Sequence, residues 1–477
     1  MNAIEHRYYK IGTSSKGLPR IWLQGAGLLA SNFIKGRPYT VILNVTNRTI
    51  ILKLLDKVVD NCRCVSGRKR HNFDSFTPIV ELSNSELVTI TGLSTRVRAD
   101  FYENEIHISI HHLDKKIEER EARLAKNLSN GFITKAVLCA GIGISAAAGY
   151  DVLTKSGLKC RTEFVVDRER QYLDVLSSNN HSIDDSTVIF ESTLEEMEPE
   201  LVGFVDCISF SLACTGMGSS GKAKNKIDIP EEHSTDATGI FGLVKLIERC
   251  QPSILVSENV VGAVKSATYV LLKSLLAIYG YNVTEKVLNS THTHSIENRE
   301  RYWFVATSAG LSIPDLENFP VFQRVHQHLS SILETIPYAH KMWKSSDEKV
   351  RKAALNKTNG KNFAFNLVSP TVSKIGVCGK GYNKNRATEC HIAGPNNLSR
   401  LLTVQELAKA QSVPLHLIDG VVPTIAYQGL GQGVDYRQAQ GVFECVARDV
   451  LSPIIKTILA LKKTLPPKCL AIEHSYF

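Results

Sequence analysis

The sequence predicts an α/β protein with a largely parallel sheet, preceded by a small all-β module. Three observations carry this. From Lys135 onward, short apolar runs at 136–140, 163–166, 188–190, 205–210, 253–256 and 302–306 alternate with helical patterns. Such alternation marks helices crossing over parallel strands. The first 110 residues instead hold paired β-branched runs separated by turn signals. Finally, 477 residues with 43% hydrophobic and 22% charged composition suit two or three globular domains and exclude long disorder.

In the front module, Thr40-Val-Ile-Leu-Asn-Val45 and Thr49-Ile-Ile-Leu-Lys-Leu54 flank Thr46-Asn-Arg48, a hairpin pattern. A second pair, 95–101 and 106–110, is split by Tyr102-Glu-Asn-Glu105. Between the pairs lie Pro78-Ile-Val-Glu-Leu82 and the basic loop Ser66-Gly-Arg-Lys-Arg-His71. Pro19-Arg-Ile-Trp-Leu-Gln-Gly25 with Gly36-Arg-Pro-Tyr-Thr-Val41 resembles the swapped-hairpin modules of AbrB- and SymE-type proteins over about 50 residues. The module, residues 1–111, is expected to be accessory, binding DNA or forming a dimer; a purely structural cap is the rival reading. Residues 112–130 read as a helical linker, with Leu113, Ile117, Leu124 and Leu128 on one stripe and Lys115 four residues before Glu119. No repeat with a period of 20–50 residues is evident.

Charge is unevenly spread. Residues 1–130 carry net +7 and residues 321–400 net +9, whereas the whole chain carries +9, so the remaining body is acidic. Two basic segments flanking an acidic body suggest a polyanionic partner, although solvated faces give the same count. No apolar run reaches the roughly 18 residues needed to cross a bilayer, and Met1–Lys10 has no apolar leader core. Eleven scattered cysteines suit a reducing compartment. A soluble cytoplasmic protein with no membrane partner is expected. Cys62-Arg-Cys64 has the wrong spacing for a zinc knuckle, and His107, His111, His112, His292 and His294 read as ordinary strand or surface histidines. No metal is expected.

The chemistry-bearing residues recur at strand ends. Val137-Leu-Cys-Ala-Gly-Ile-Gly-Ile144 places Gly141 and Gly143 after a strand, where the backbone turns sharply and can approach a ligand. Alone it is equally a structural turn. Phe164-Val-Val-Asp167 ends the next strand with a carboxylate of the kind that accepts ribose hydroxyls, or with a solvated loop acid. Val205-Asp-Cys-Ile-Ser-Phe-Ser-Leu-Ala-Cys-Thr-Gly216 is a strand running into a small-residue loop that carries Cys214; by itself Cys214 reads as a buried thiol. Ile254-Leu-Val-Ser-Glu-Asn-Val260 delivers Glu258 to the same edge. Glu297-Asn-Arg-Glu-Arg-Tyr-Trp303 is expected to set Arg299 and Arg301 on one face of a strand.

Taken in order, these residues resemble the DNA (cytosine-5) methyltransferases, especially those of phages and mobile elements. The resemblance spans about 131–460 and continues through Arg400-Leu-Leu-Thr-Val-Gln-Glu406 and Leu430-Gly-Gln-Gly-Val434. It implies an S-adenosylmethionine-dependent, Rossmann-like catalytic domain at 131–320, an inserted target-recognition domain at 321–399, and a return to the catalytic domain at 400–477. It implies Cys214 as nucleophile, Glu258 as acid, and Arg299 and Arg301 as base-orienting residues. The cofactor would be held by Ala140, Gly141, Ile142, Gly143, Asp167, Gln432 and Val434. Double-stranded DNA would be met by Lys222, Lys224, Lys380, Arg386 and Arg400, with the cytosine flipped out of the duplex. Loops 356–362 and 379–386 supply Asn, Lys, Gly and Arg for that contact. Such an enzyme acts alone or beside a restriction enzyme. An RNA cytosine methyltransferase and a catalytically silent nucleic-acid-binding protein are the alternatives. The chain departs from the family pattern at Ala213 (usually proline), at Glu297 (usually glutamine, so a negative charge is expected near DNA), at Val137 (usually acidic) and at Gln432 (often asparagine).

Overall fold

The computed structural model describes residues 2–69, 75–92, 94–212, 230–232, 238–360 and 364–464. They divide into two compact units, Met1–Glu119 and Arg120–Phe477.

The first unit contains β1 (Glu5–Lys10), β2 (Gly12–Thr13), β3 (Pro19–Gln24), α1 (Ala26–Ala30), β4 (Pro38–Asn44) and β5 (Thr49–Leu54). It continues with β6 (Arg63–Cys64), β7 (Ser66–Lys69), β8 (Phe76–Ser83), α2 (Leu87–Thr91), β9 (Arg96–Tyr102) and β10 (Glu105–Ile110). One sheet has the order β1-β9-β10-β5-β4-β6 and the other β2-β3-β8-β7. Alternation decides what each strand buries: Ile50 and Leu52 on β5 and Ile106 and Ile108 on β10 enter a core shared with Ile21, Leu23, Val80 and Leu82. The expected hairpins are β4–β5 and β9–β10.

Helix α3 (His112–Ser129) begins in the first unit, where Asp114 accepts bonds from the Thr95 and Arg96 backbone N–H groups. Its second half is woven into the second unit. Arg120, fully buried, donates to Ser308 Oγ at 2.8 Å and to the Tyr279 and Gly280 carbonyls, and Asn127 donates to Asp206 at 2.7 Å. The linker expected at 112–130 is therefore partly structural fabric.

The second unit is built on β11 (Phe132–Leu138), β12 (Lys159–Asp167), β13 (Val188–Glu191), β14 (Cys207–Phe210), β15 (Ile254–Asn259), β16 (Tyr281–Leu288) and β17 (Arg301–Ser308). Their order is β13-β12-β11-β14-β15-β17-β16; the first five are parallel, β17 runs antiparallel to β15, and β16, antiparallel to β17, again points with the first five. Helix α4 (Ile144–Lys155) and the helix Tyr436–Val446 cover one face, while α6 (Gly239–Cys250) and α7 (Ala267–Ile278) cover the other; α5 (Arg170–Asn179) packs beside β12. β16 is absent from the sequence expectation: its Asn282, Thr284, Glu285 and Lys286 hide the strand signal, because it lies at the sheet's edge. Asp206, fully buried, accepts from Thr134 N and Oγ1 and thereby fixes β14 against β11. Among the described residues of 321–400, regular structure is chiefly the helix Asp347–Thr358 and a four-stranded sheet of two- and three-residue strands. The chain then returns through helices Val404–Ala410, Pro423–Gln432 and Tyr436–Val446.

Candidate active site

The carboxyl ends of the parallel strands open into a cavity of about 1180 Å³. Parallel strands point their carboxyl ends and the following helix N-termini to one edge, which is where such sheets hold ligands. Ala140, Gly141, Ile142, Asp167, Gln432 and Val434 line it.

β11 delivers the glycine loop. The backbone is left-handed at Gly141 and Gly143, with φ of 53° and 80°, and α4 starts at Ile144. A Cβ on Gly143 would stand 2.2 Å from Asn180 Nδ2, so that position needs glycine for space as well as conformation. β12 ends at Asp167, whose carboxylate accepts from Gly141 N at 2.7 Å and Glu169 N at 2.9 Å. Burial raises its pKa above the ordinary value, partly offset by those two N–H donors. On the far wall Gln432 donates to the Tyr172 hydroxyl at 2.7 Å, and Val434 is buried. Ser209, also on the cavity wall, has a buried hydroxyl with no hydrogen-bond partner among the described residues. A carboxylate at a strand end, an open glycine loop and an unsatisfied hydroxyl fit an adenosyl cofactor.

The second cluster is held by β15 and β17. Glu258 lies one residue from the end of β15 and stands opposite Trp303 on β17. Its Oε1 is 2.7 Å from Arg301 Nε, and its Oε2 accepts from Ser211 Oγ at 3.2 Å. Burial raises the Glu258 pKa, with Arg301 as the main opposing influence. Neighbouring Asn259 is buried and donates to the Leu212 carbonyl and the Tyr269 hydroxyl, both at 2.9 Å. Ser211 and Leu212 therefore rise beside Glu258 immediately before residue 213. Ala213, Cys214, Lys222 and Lys224 lie outside the described residues. Cys139 also lines the cavity, but burial pushes its thiol up to about 12. That favours an inert thiol there.

Three expectations need correction. Arg299 and Arg301 do not share a strand face, because β17 starts at Arg301 and Arg299 precedes it. Arg299 is fully buried, paired with Glu297, and donates to the Cys378, Gly431 and Gly433 carbonyls. Glu297 is equally buried and also accepts from Cys378 N and Gln411 Nε2, so its charge faces Arg299 rather than solvent. Close approach at this junction requires Gly431, where a Cβ would lie 2.4 Å from the Gly379 backbone. Arg400 is likewise buried and bidentate on Glu406, at 2.6 and 2.7 Å, so it is not an exposed DNA contact. Lys380 and Arg386 are exposed, Lys380 standing 5.6 Å over the Tyr172 ring. Ser211 escapes sequence reasoning, for a lone serine after a strand carries no signal; Asn259 stands in the Glu-Asn-Val run without an assigned role there. No group of three or more metal-binding side chains occurs among the described residues.

The family profile described as C-5 cytosine-specific DNA methylase matches residues 133–448. The chain is 24% identical over 283 residues to the type II methyltransferase M.SsoII of Shigella sonnei, covering 57% of this chain and 68% of that protein. It is 31% identical over 97 residues to the type II methyltransferase M.HgiCII of Herpetosiphon aurantiacus, covering 20% and 22% of the two. Among solved structures, the Entamoeba histolytica methyltransferase EhMeth is similar at a TM-score of 0.54 and 15% identity, over 67% of this chain and 98% of that one. The S. pombe Dnmt2 methyltransferase is similar at a TM-score of 0.51 and 15% identity, over 66% and 98%. At such identities these two likenesses concern the fold.

Proposed function

Because the chain belongs to the C-5 cytosine-specific DNA methylase family, we propose that it methylates duplex DNA and that Cys214 is its nucleophile. S-adenosylmethionine is the cofactor, and when bound it supplies the methyl group. The observation that carries the reading is the buried Glu258, joined to Arg301 and Ser211 in the same cavity as Asp167.

Carbon 5 of cytosine is a weak nucleophile until a thiolate adds at carbon 6. In the proposed mechanism the Cys214 sulfur forms that bond, and electron density moves onto the ring. Glu258, whose protonated form burial favours, gives its proton to ring nitrogen 3, while Arg301 orients the base through the carbonyl oxygen at carbon 2. Carbon 5 takes the methyl group; loss of its proton to solvent, departure of the sulfur as thiolate and return of the nitrogen 3 proton to Glu258 restore the ring and the acid. Asp167 holds the ribose hydroxyls of the cofactor. Lys380 and Arg386 meet DNA from the recognition segment. Support for DNA comes from the family and from the names of the two type II relatives.

The test is transfer of labelled methyl from S-adenosylmethionine to duplex DNA and to RNA of the same sequence. Label on DNA is expected, with none on RNA. Cys214→Ser is expected to abolish transfer and to lose the covalent adduct with 5-fluorocytosine DNA; an adduct that persists in the variant refutes the nucleophile.

A further inference from the structure

The front unit repeats itself. In chain order, β1-β2-β3-α1-β4-β5 is followed by β6-β7-β8-α2-β9-β10. Exchanging each element for its counterpart leaves both sheet orders unchanged when read from the opposite end. The registers obey the same exchange. Ile21 pairs with Leu82 and Leu23 with Val80, so carrying Ile21 to Val80 and Leu23 to Leu82 turns one pair into the other. Leu52 with Ile106 and Ile50 with Ile108 behave identically. The hairpin pair Tyr39 and Leu54 corresponds to Val97 and Ile110. Equivalent positions are buried alike, including Leu28 and Leu87 in the two short helices.

Each repeat completes the other. β3 pairs with β8, β5 with β10, β1 with β9 and β6 with β4. The arrangement is that of a two-fold dimer made within one chain. Trp22 stands opposite Glu81, the pair that the exchange maps onto itself, and both point outward from the four-stranded sheet. Arg20 lies 4.4 Å over the Trp22 ring and pairs with Glu81 at 2.7 Å. Arg20 and Arg68 share the face of Trp22 and Glu81, with Lys16 in the β2–β3 turn, whereas Lys69 alternates to the other face; Glu81 is the acid of this sheet among the described residues. Lys16 and Arg68 belong to equivalent hairpins at opposite edges of the sheet. Four strands span about 14 Å at the usual spacing, comparable with the roughly 12 Å major groove of B-DNA.

We infer that residues 5–110 are a tandem duplication folded as an intramolecular dimer, and that its β2-β3-β8-β7 sheet binds the phosphates of duplex DNA. For its partner the inference rests on the duplex-DNA reading above. Two experiments on the full chain test it. In Thr49→Cys/Ser109→Cys, oxidation is expected to cross-link β5 to β10 within one chain, giving a monomeric band on a non-reducing gel beside the oxidised parent. Covalent dimers dependent on these two cysteines would overturn the intramolecular pairing. For the surface, Arg20→Glu/Arg68→Glu is expected to weaken binding to a dA·dT duplex at least tenfold at low salt. It should also flatten the salt dependence by about two units of log–log slope, whereas Arg20→Lys/Arg68→Lys holds both. Unchanged affinity and slope in the glutamate variant, or equal loss in the lysine variant, would overturn the surface. The probe contains no cytosine, so failure of DNA methylation and failure of this surface are read apart.

Discussion

The proposed proton donation to ring nitrogen 3 requires a protonated Glu258, and burial shifts its pKa upward, in that direction, against Arg301. Activity that depends on this proton falls as pH rises through that pKa. Glu258→Gln is expected to slow transfer by about 10²–10⁴ and to remove this limb of the pH profile; wild-type turnover would count against the assignment. Asp167→Ala should lose two charge-assisted bonds to the ribose, each worth roughly 1.5–3 kcal/mol, and weaken S-adenosylmethionine more than DNA. Calorimetry showing equal cofactor affinity would refute that role. Both carboxylates are legible in the sequence because each ends an apolar run. Ser211 is not, since its role depends on a neighbour 47 positions away.

At the scale of elements, the strand boundary at Arg301 separates two arginines that the motif presents alike. Arg299 ties the segment at Cys378 to the Gly431–Gly433 turn, so removing it leaves Glu297 buried without its cation. Arg299→Ala is expected to destabilise the protein by about 3–5 kcal/mol. Arg301→Ala should instead lower turnover with a smaller change in urea midpoint. The reverse pattern would exchange their roles. Period-two reasoning fails here because it extends two residues beyond the strand. It succeeds for β5 and β10, whose inward isoleucines and leucines alternate without a break.

For the whole molecule, the second half of α3 sets where the chain can be cut. A fragment beginning at 130 lacks Arg120 and Asn127 and leaves Asp206 short of a donor, whereas one beginning at 112 keeps both. The shorter fragment is expected to unfold at lower urea; equal midpoints would show that the helix is dispensable. Specificity is expected to reside in the segment 321–399: if Arg386 reads a guanine, Arg386→Ala should relax one position of the methylated site by roughly 1–3 kcal/mol. Bisulfite sequencing that shows a uniform fall at every site would make it a phosphate contact. The helix-covered sheet of the second unit is visible in the alternation of patterns. The duplication in the front unit is not, because its halves share buried positions rather than identities, and their spacing drifts from 59 (Ile21 to Val80) to 56 (Ile50 to Ile106).

Asn259, the residue beside the proposed proton donor, also grips the Leu212 carbonyl, two positions before Cys214. A shift of β15 would therefore carry the acid and the root of the nucleophile's segment together, preserving their spacing while changing their distance from the cofactor wall. Tolerance to displacement is thus unequal: Glu258 and Leu212 keep their spacing when β15 moves, and their alignment with the cofactor wall absorbs the error.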